Sequence, residues 1–228
     1  MSSRVIVVLV HGLWMTGVDM VLLRWRIRDC GFTVRQFSYS SLRADVETNA
    51  ARLHQFISRL DADIIHLVGH SLGGLVIGRF LHDIVSQDID RRIGRIVTLG
   101  TPYKGSRVAR KMASLPVLRW FLGRSFINGL DGRMPEWPAT HELGVIAGTL
   151  NLGVGRLVSS LPGVSDGSVM VDETRTQAMT DLITLPVSHT ALLFSGDAAL
   201  QVCAFLHNGR FRHEQPTEIA DTADSAEP

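Results

Sequence analysis

A serine set among glycines is the residue of this chain best placed for covalent chemistry. The run Gly69-His70-Ser71-Leu72-Gly73, with Gly74 after it, lies between a β-branched apolar stretch and a helical pattern. In that context G-x-S-x-G is typical of a nucleophile elbow, a strained strand-to-helix turn that lifts the serine hydroxyl above the sheet edge. The alternative is an ordinary glycine-rich turn. A serine hydroxyl is a weak nucleophile near neutral pH and needs an adjacent base.

The base should be a histidine on a loop after the last strand, and His189 best fits that description. It follows the apolar run 181–185 and precedes the final helical pattern. The other eight histidines lie in predicted helices and strands, just before a strand, in the elbow itself, in the first loop or at or after the last helix. A solvent-exposed loop histidine is the alternative interpretation of His189.

A carboxylate is needed to hold the base in one tautomer and to stabilise its imidazolium form. Asp166 precedes His189, and Gly167 after it permits a tight turn. Asp172 and Glu173 are rivals, but they fall in or after a short apolar run that is less suited to reach back over the site. We therefore predict Asp166 as the third member.

The oxyanion of an acyl-transfer intermediate needs two preorganised donors. One is expected from the backbone N–H of Leu72, directly after the nucleophile, and the other from the loop after the first strand. Leu13 is favoured there over Trp14, and Gly12 allows the backbone to turn inward. Trp14 and Met15 are predicted to bind substrate, with Trp137 as a weaker candidate for the same pocket.

These residues resemble the α/β-hydrolase family, specifically its small lipases and esterases. The resemblance covers roughly residues 4–206 and rests on four stretches: Val10–Trp14, Gly69–Gly74, Gly100–Ser106 and Asp166–Val169. Asp166–Val169 matches the family's acid-bearing loop. The resemblance places Gly100–Ser106 near the active-site rim, with no chemical role of its own. The resemblance implies ester hydrolysis by a Ser71, Asp166 and His189 triad in the lipid metabolism of the cell. An acyltransferase, thioesterase or amidase could use the same triad, and a binding protein could keep the fold without the chemistry.

The elements that must position these residues alternate along the chain. Strands are predicted at 4–10, 33–37, 64–68, 95–99, 144–148 and 181–185, and helices at 18–28, 45–60, 72–85 and 198–206. Such alternation predicts an α/β fold, with a mostly parallel sheet flanked by helices. Residues 1–212 are expected to form one domain.

Two segments depart from this alternation. Residues 106–140 are longer than one crossover needs, which predicts a helical cap or lid insertion. Within 106–130 five basic residues are interleaved with aromatic and aliphatic ones. That mixture fits either a packed cap over an apolar acyl pocket or a surface that touches lipid transiently. Residues 149–165 read as a surface loop, and 213–228 as a disordered acidic tail.

Composition excludes several other classes of function. The 228 residues carry 23 basic and 22 acidic side chains, too balanced for a nucleic-acid-binding surface. The two cysteines, Cys30 and Cys203, are far apart and are expected to be small buried hydrophobic residues rather than a disulfide. His66 and His70 are four residues apart, but they span a predicted strand and its turn and do not share a helical face. No phosphate or dinucleotide loop is present, so we expect no metal and no cofactor. Without a signal-like or membrane-spanning stretch, a cytoplasmic location is expected.

Overall fold

The computed structural model describes residues 3–84, 91–153 and 161–213, and in these ranges strands alternate with helices. The strands are β1 (Val5–Val10), β2 (Thr33–Phe37), β3 (Ile64–His70), β4 (Ile93–Leu99), β5 (Leu143–Gly148) and β6 (Asp181–Leu185). The α-helices are α1 (Val21–Asp29), α2 (Val46–Ser58), α3 (Leu72–Ile84), α4 (Arg107–Ala113), α5 (Pro116–Leu122) and α6 (Gly196–Asn208).

The six strands form one parallel sheet in the order β2-β1-β3-β4-β5-β6. This is the mostly parallel sheet flanked by helices that the sequence predicts. The direction of winding reverses between β1 and β3, where Val10 pairs with Gly69. Loops leave such a switch point on opposite sides and open a crevice at the carboxyl ends of the strands. The loop after β1 and the elbow after β3 therefore begin side by side.

The apolar sequence of β1 is explained by its two covered faces. Ile6 and Val8 point to the side of α2 and α3, whereas Val7 and Leu9 point to the side of α1 and α6. All four are buried, as expected for a central parallel strand whose alternate side chains enter two separate cores. Two hydrophobic clusters, one on each face, thus hold the sheet edge that carries the site.

The predicted elements are all present, with small differences at their ends. β2 and β6 have the predicted bounds, whereas β3 continues two residues further, to His70. The first helix is preceded by a 3₁₀ turn at Gly17–Met20. Thr16 caps that turn, and the turn occupies the first residues of the predicted helix.

The insertion at 106–140 contains α4, α5 and a 3₁₀ turn at Gly123–Phe126, followed by turns and a stretch without regular secondary structure. Ser106 caps α4 by accepting from the backbone N–H of Ala109, at 3.1 Å. That this insertion forms a lid distinct from the rest of the domain stays a prediction. The predicted acidic tail, apart from His213, and the middle of the predicted loop at 149–165 lie outside the described residues.

The interpretation of the two cysteines was wrong. Cys30, at the end of α1, and Cys203, in α6, form a disulfide across 173 residues of sequence. Distance along the chain misled the prediction, because α1 and α6 pack on the same face of the sheet. In the described ranges, no helix has the length and apolar character needed to cross a membrane.

Candidate active site

Ser71 lies on the strained turn that the sequence predicted. Its φ is +52°, in the left-handed region that non-glycine residues rarely adopt. Gly69 and Gly73 permit the close packing of this turn. A Cβ on Gly69 would lie 2.7 Å from the backbone nitrogen of Gly74, and one on Gly73 would collide with the carbonyl of Val10. The Ser71 N–H donates to the carbonyl of Leu99 at 2.8 Å, which ties the turn to the end of β4.

Asp166 and His189 are brought together across 23 residues of sequence. The Nδ1 of His189 lies 2.6 Å from Oδ2 of Asp166, and the backbone N–H of His189 donates to the Asp166 carbonyl at 2.9 Å. The other carboxylate oxygen accepts from the backbone N–H groups of Ser168 and Val169. Asp166 is buried, with its two side-chain oxygens fully used. The carboxylate therefore fixes Nδ1–H on the ring and leaves Nε2 as the free base.

Ser71 and His189 line the same cavity. Within the described part of the chain no hydrogen bond joins the Ser71 hydroxyl to the ring. Nucleophile–base hydrogen bonds are often long without substrate and tighten in the reacting complex. Asp166 and His189 are thus already hydrogen-bonded to each other, whereas Ser71 and His189 line the same cavity without a hydrogen bond between their side chains.

The two rival carboxylates serve other contacts. Asp172 is exposed and pairs with Lys104 at 3.3 Å. Glu173 is buried and accepts from the backbone N–H groups of Arg107 at 2.6 Å and Met170 at 2.9 Å. Burial raises the pKa of Glu173 above its ordinary value, and these donors oppose the rise. Glu173 therefore joins the loop after Asp166 to the start of α4 and does not face His189.

The loop after β1 is held by a buried histidine that the sequence analysis left without a role. The Tyr39 N–H donates to Nε2 of His11 at 3.2 Å, so the proton must be on Nδ1, which lies 2.9 Å from the Gly12 carbonyl. Burial lowers the pKa of His11, which keeps the ring in this neutral form. The Gly12 carbonyl and the Leu13 N–H belong to one trans peptide unit and point in opposite directions. By fixing the carbonyl, His11 fixes the direction of the Leu13 N–H.

Trp14, the alternative to Leu13, has its amide occupied. Its backbone N–H donates to Ser41 Oγ at 3.2 Å, and its indole Nε1 donates to the Phe121 carbonyl at 2.6 Å. Leu13 lines the cavity, and Leu72 is the first residue of α3, directly after Ser71. These positions agree with the predicted oxyanion donors, whose role stays a prediction.

His70 contacts the backbone of the base, His189. It is fully buried, and burial lowers its pKa to about 3, so its ring is neutral. Nε2 lies 3.1 Å from the carbonyl of His189, which can only accept, so Nε2 carries the proton. Nδ1 has no hydrogen-bond partner among the described residues. The backbone of His189 is therefore held on both sides, by His70 and by Asp166.

Gly100 and Thr101 contribute to the site, although their segment was given no chemical role in the sequence. Gly100 has a φ of +60°, and a Cβ on it would lie 2.9 Å from Nδ1 of His189 and 3.1 Å from Oδ2 of Asp166. The missing side chain leaves the space that the acid–base pair occupies. Thr101 donates from its buried hydroxyl to the carbonyl of Ser71 at 2.9 Å.

The cavity beside Ser71 has a volume of about 250 Å³. Its wall is mainly apolar and includes the predicted Trp14 and Met15, together with Val108, Ala109 and Met112 of α4. Trp137 does not line it and packs against Gly78 of α3 and Tyr103, beside a second cavity. Among the described residues no cluster of three His, Cys, Asp or Glu side chains could hold a metal ion.

Comparisons with known proteins identify the family and the fold. The sequence model of the alpha/beta hydrolase family matches residues 7–221. Among solved structures, the mature form of a lipase from Bacillus licheniformis is similar with a TM-score of 0.72 at 18% identity, covering 91% of this chain and 92% of that one. A monoacylglycerol lipase from Paleococcus ferrophilus has a TM-score of 0.62 at 15% identity, with 90% and 94% covered. A metagenomic carboxyl esterase has a TM-score of 0.61 at 18% identity, with 84% and 66% covered. A search of curated protein sequences found no match.

Proposed function

We propose that this chain, which belongs to the alpha/beta hydrolase family, is a serine hydrolase that cleaves carboxylic esters through an acyl-enzyme on Ser71. The observation that carries the proposal is the Asp166–His189 pair at 2.6 Å, because His189 lines the same cavity as a serine held at a φ of +52°. Three polar groups far apart in sequence converge there in the chain order Ser, Asp, His.

In the first half of the reaction, Nε2 of His189 takes the proton of the Ser71 hydroxyl as Oγ attacks the ester carbonyl. Asp166 stabilises the resulting imidazolium and does not itself take the proton. The N–H groups of Leu13 and Leu72 hold the oxyanion, and the imidazolium then protonates the departing alcohol. In the second half, His189 activates a water that releases the acid and restores Ser71.

The cavity wall supports an ester with an apolar acyl group. Val108, Ala109 and Met112 on one side and Leu13 and Met15 on the other offer no charge to a bound substrate. The similar structures include two lipases and a carboxyl esterase, which favours esters over other acyl compounds. A small-molecule or lipid ester is therefore the proposed substrate, without a cofactor.

Replacement of the nucleophile tests the proposal. Ser71→Ala should lower kcat on p-nitrophenyl esters on the order of a million-fold. Ser168→Ala, which changes another serine of the cavity wall, is the matched control and should retain activity. A fluorophosphonate probe should label the unchanged protein and Ser168→Ala but not Ser71→Ala.

The same assays separate the alternatives. Ordinary turnover by Ser71→Ala would reject the mechanism, and failure of the probe to label the unchanged protein would favour a binding role. If alcohol acceptors divert the acyl group from water almost completely, the protein is an acyltransferase.

The cellular location stays a prediction. The cytoplasmic location expected from the sequence is opposed by the Cys30–Cys203 disulfide, because such bonds persist mainly in oxidising compartments. Fractionation of the source cells, followed by detection of the protein in each fraction, decides between them.

A further inference from the structure

Helix α5 is apolar on the side that packs inward and also on the side that faces out. Leu122 is buried and lines the cavity. Outward, Val117 and Trp120 are 75% and 79% exposed, and Phe121 is 44% exposed. Positions three and four apart share a helix face, so these three side chains form one surface, which we term the outer patch. Exposed apolar surface that is bordered by charged side chains, here Arg119, marks an interaction site, so we expect the outer patch to be covered by a partner.

The outer patch adjoins the mouth of the cavity. The indole of Trp14, which lines the cavity and is 49% exposed, donates to the carbonyl of Phe121 at 2.6 Å. The rings of Trp120 and Phe121 meet edge to face, with centroids 5.3 Å apart. Beyond them, the Arg124 N–H donates to the carbonyl of Leu42, another partly exposed apolar residue. Whatever covers the outer patch therefore lies beside Trp14, a partly exposed residue of the cavity wall.

The charges around the outer patch are positive and unpaired. Arg43, Arg119 and Arg124 are exposed, and none forms an ion pair within 4.0 Å in the described ranges. Asp45 caps α2, and its pKa is lowered by its hydrogen bonds with Thr48 and also by the charge of Arg124, with which it forms no ion pair within 4.0 Å. Three free guanidinium groups beside exposed aromatic rings complement anionic headgroups over an apolar interior.

We propose that the outer patch docks on an anionic phospholipid bilayer, with Val117, Trp120 and Phe121 in the headgroup–acyl boundary and the three arginines on the headgroups. The cavity mouth then faces the bilayer, from which an ester can enter directly. Only this last consequence rests on the proposed function, since docking itself needs no catalysis.

Vesicle binding by the Ser71→Ala variant of the full chain tests the docking apart from hydrolysis. The protein should float with vesicles of mixed phosphatidylglycerol and phosphatidylcholine, and much less with phosphatidylcholine alone. Arg119→Ser should weaken binding to anionic vesicles about fivefold, because one arginine near such a surface is worth about 1 kcal/mol. Trp120→Ala should weaken binding to both kinds of vesicle.

Matched controls lie on the opposite face of the sheet. Trp25 is 58% exposed on α1, and Arg28 is exposed on the same helix, so Trp25→Ala and Arg28→Ser should bind as the parent does. Equal losses for Trp120→Ala and Trp25→Ala, or no preference for anionic vesicles, would overturn the proposal. A dimer in solution that Trp120→Ala dissociates would also overturn it, by showing that a second copy covers the patch. Hydrolysis of a soluble acetate ester by Trp120→Ala should stay unchanged.

Discussion

At the residue scale, the site depends on a position, Gly100, that has no side chain. Gly100 faces both members of the Asp166–His189 pair, and any Cβ there would press on the ring and the carboxylate. Sequence alone could not reveal this, because the glycine directly follows β4 and the pair belongs to two later loops.

Gly100→Ala is expected to lower kcat at least about 100-fold, since displacement of a catalytic group by about 1 Å can cost that much. Gly31→Ala is the matched control, because Gly31 also has a positive φ, +93°, but nothing within 4 Å of an added Cβ. Both variants should lose about 1–2 kcal/mol of unfolding free energy from backbone strain. Steady-state kinetics measures the loss of activity, and urea unfolding measures the loss of stability. Equal losses of activity in the two variants would contradict the prediction.

His11 is a positioning residue for the proposed oxyanion donor. His11→Ala frees the Gly12 carbonyl, so the Leu13 N–H loses its fixed direction, and kcat should fall about 100-fold with little change in KM. His11→Asn places an amide N–H near the former Nδ1 and should restore part of kcat, which a purely space-filling role would not explain. If His11→Asn and His11→Ala are equally impaired while both remain folded, the positioning role is wrong.

The residues predicted from sequence were those whose chemistry is visible in a local motif. Ser71 is marked by its glycines, and the structure brings Asp166 and His189 together beside the same cavity. His11, His70 and Gly100 lie in stretches on which the resemblance rests, but their contacts could not be predicted from those motifs. The two histidines hold backbone carbonyls, and Gly100 leaves space for side chains of later loops. Trp137 was misplaced for the opposite reason: an aromatic type predicts burial but not the cavity it faces.

At the scale of elements, α4 supplies one wall of the cavity with side chains on a single helix face. Val108 and Met112 are four residues apart and buried, and Ala109 lies beside them. A volume of about 250 Å³ is slightly below the roughly 300 Å³ at which sites for drug-sized ligands begin, so we expect acyl groups of short to medium length. Each added methylene should raise kcat/KM about fourfold until the cavity is full.

Ala109→Phe should move this limit to shorter chains and leave acetate esters almost unaffected, while Met112→Ala should move it to longer chains. Lys111→Ala, on the exposed side of the same helix, is the control and should leave the profile unchanged. A series of p-nitrophenyl esters from acetate upward measures the limit. A uniform change of kcat/KM over the whole series would show that α4 does not set chain length.

Element types were predictable because each strand and helix carries its own period of apolar residues. The bounds of β2 and β6 were predicted as the structure has them. The 3₁₀ turn before α1 did not, because Thr16 and Asp19 form its capping box through contacts that helical periodicity does not report. For the segment of α4 and α5, the sequence likewise allowed two interpretations: a packed cap over an apolar acyl pocket, or a surface that touches lipid transiently.

At the scale of the whole molecule, one covalent link joins distant parts of the chain. The sequence separates Cys30 and Cys203 by 173 residues and contains nothing that says α1 and α6 are neighbours. Parallel topology makes them neighbours, since both helices cover the same face of the sheet and share one hydrophobic cluster. The first and last helices of the described fold are thereby held together.

Loss of this link should lower the free energy of unfolding by about 2–5 kcal/mol, because a bond that closes so long a loop restricts the unfolded chain strongly. Urea unfolding with and without a thiol reductant measures the loss. The double variant Cys30→Ser/Cys203→Ser should unfold like the reduced protein and should not respond to reductant. Neither cysteine lines the cavity, so hydrolysis at low temperature should survive reduction. Detection of two free thiols in the unreduced protein would contradict the bond, as would a urea unfolding midpoint that does not change with reductant. Either result would again favour a reducing compartment.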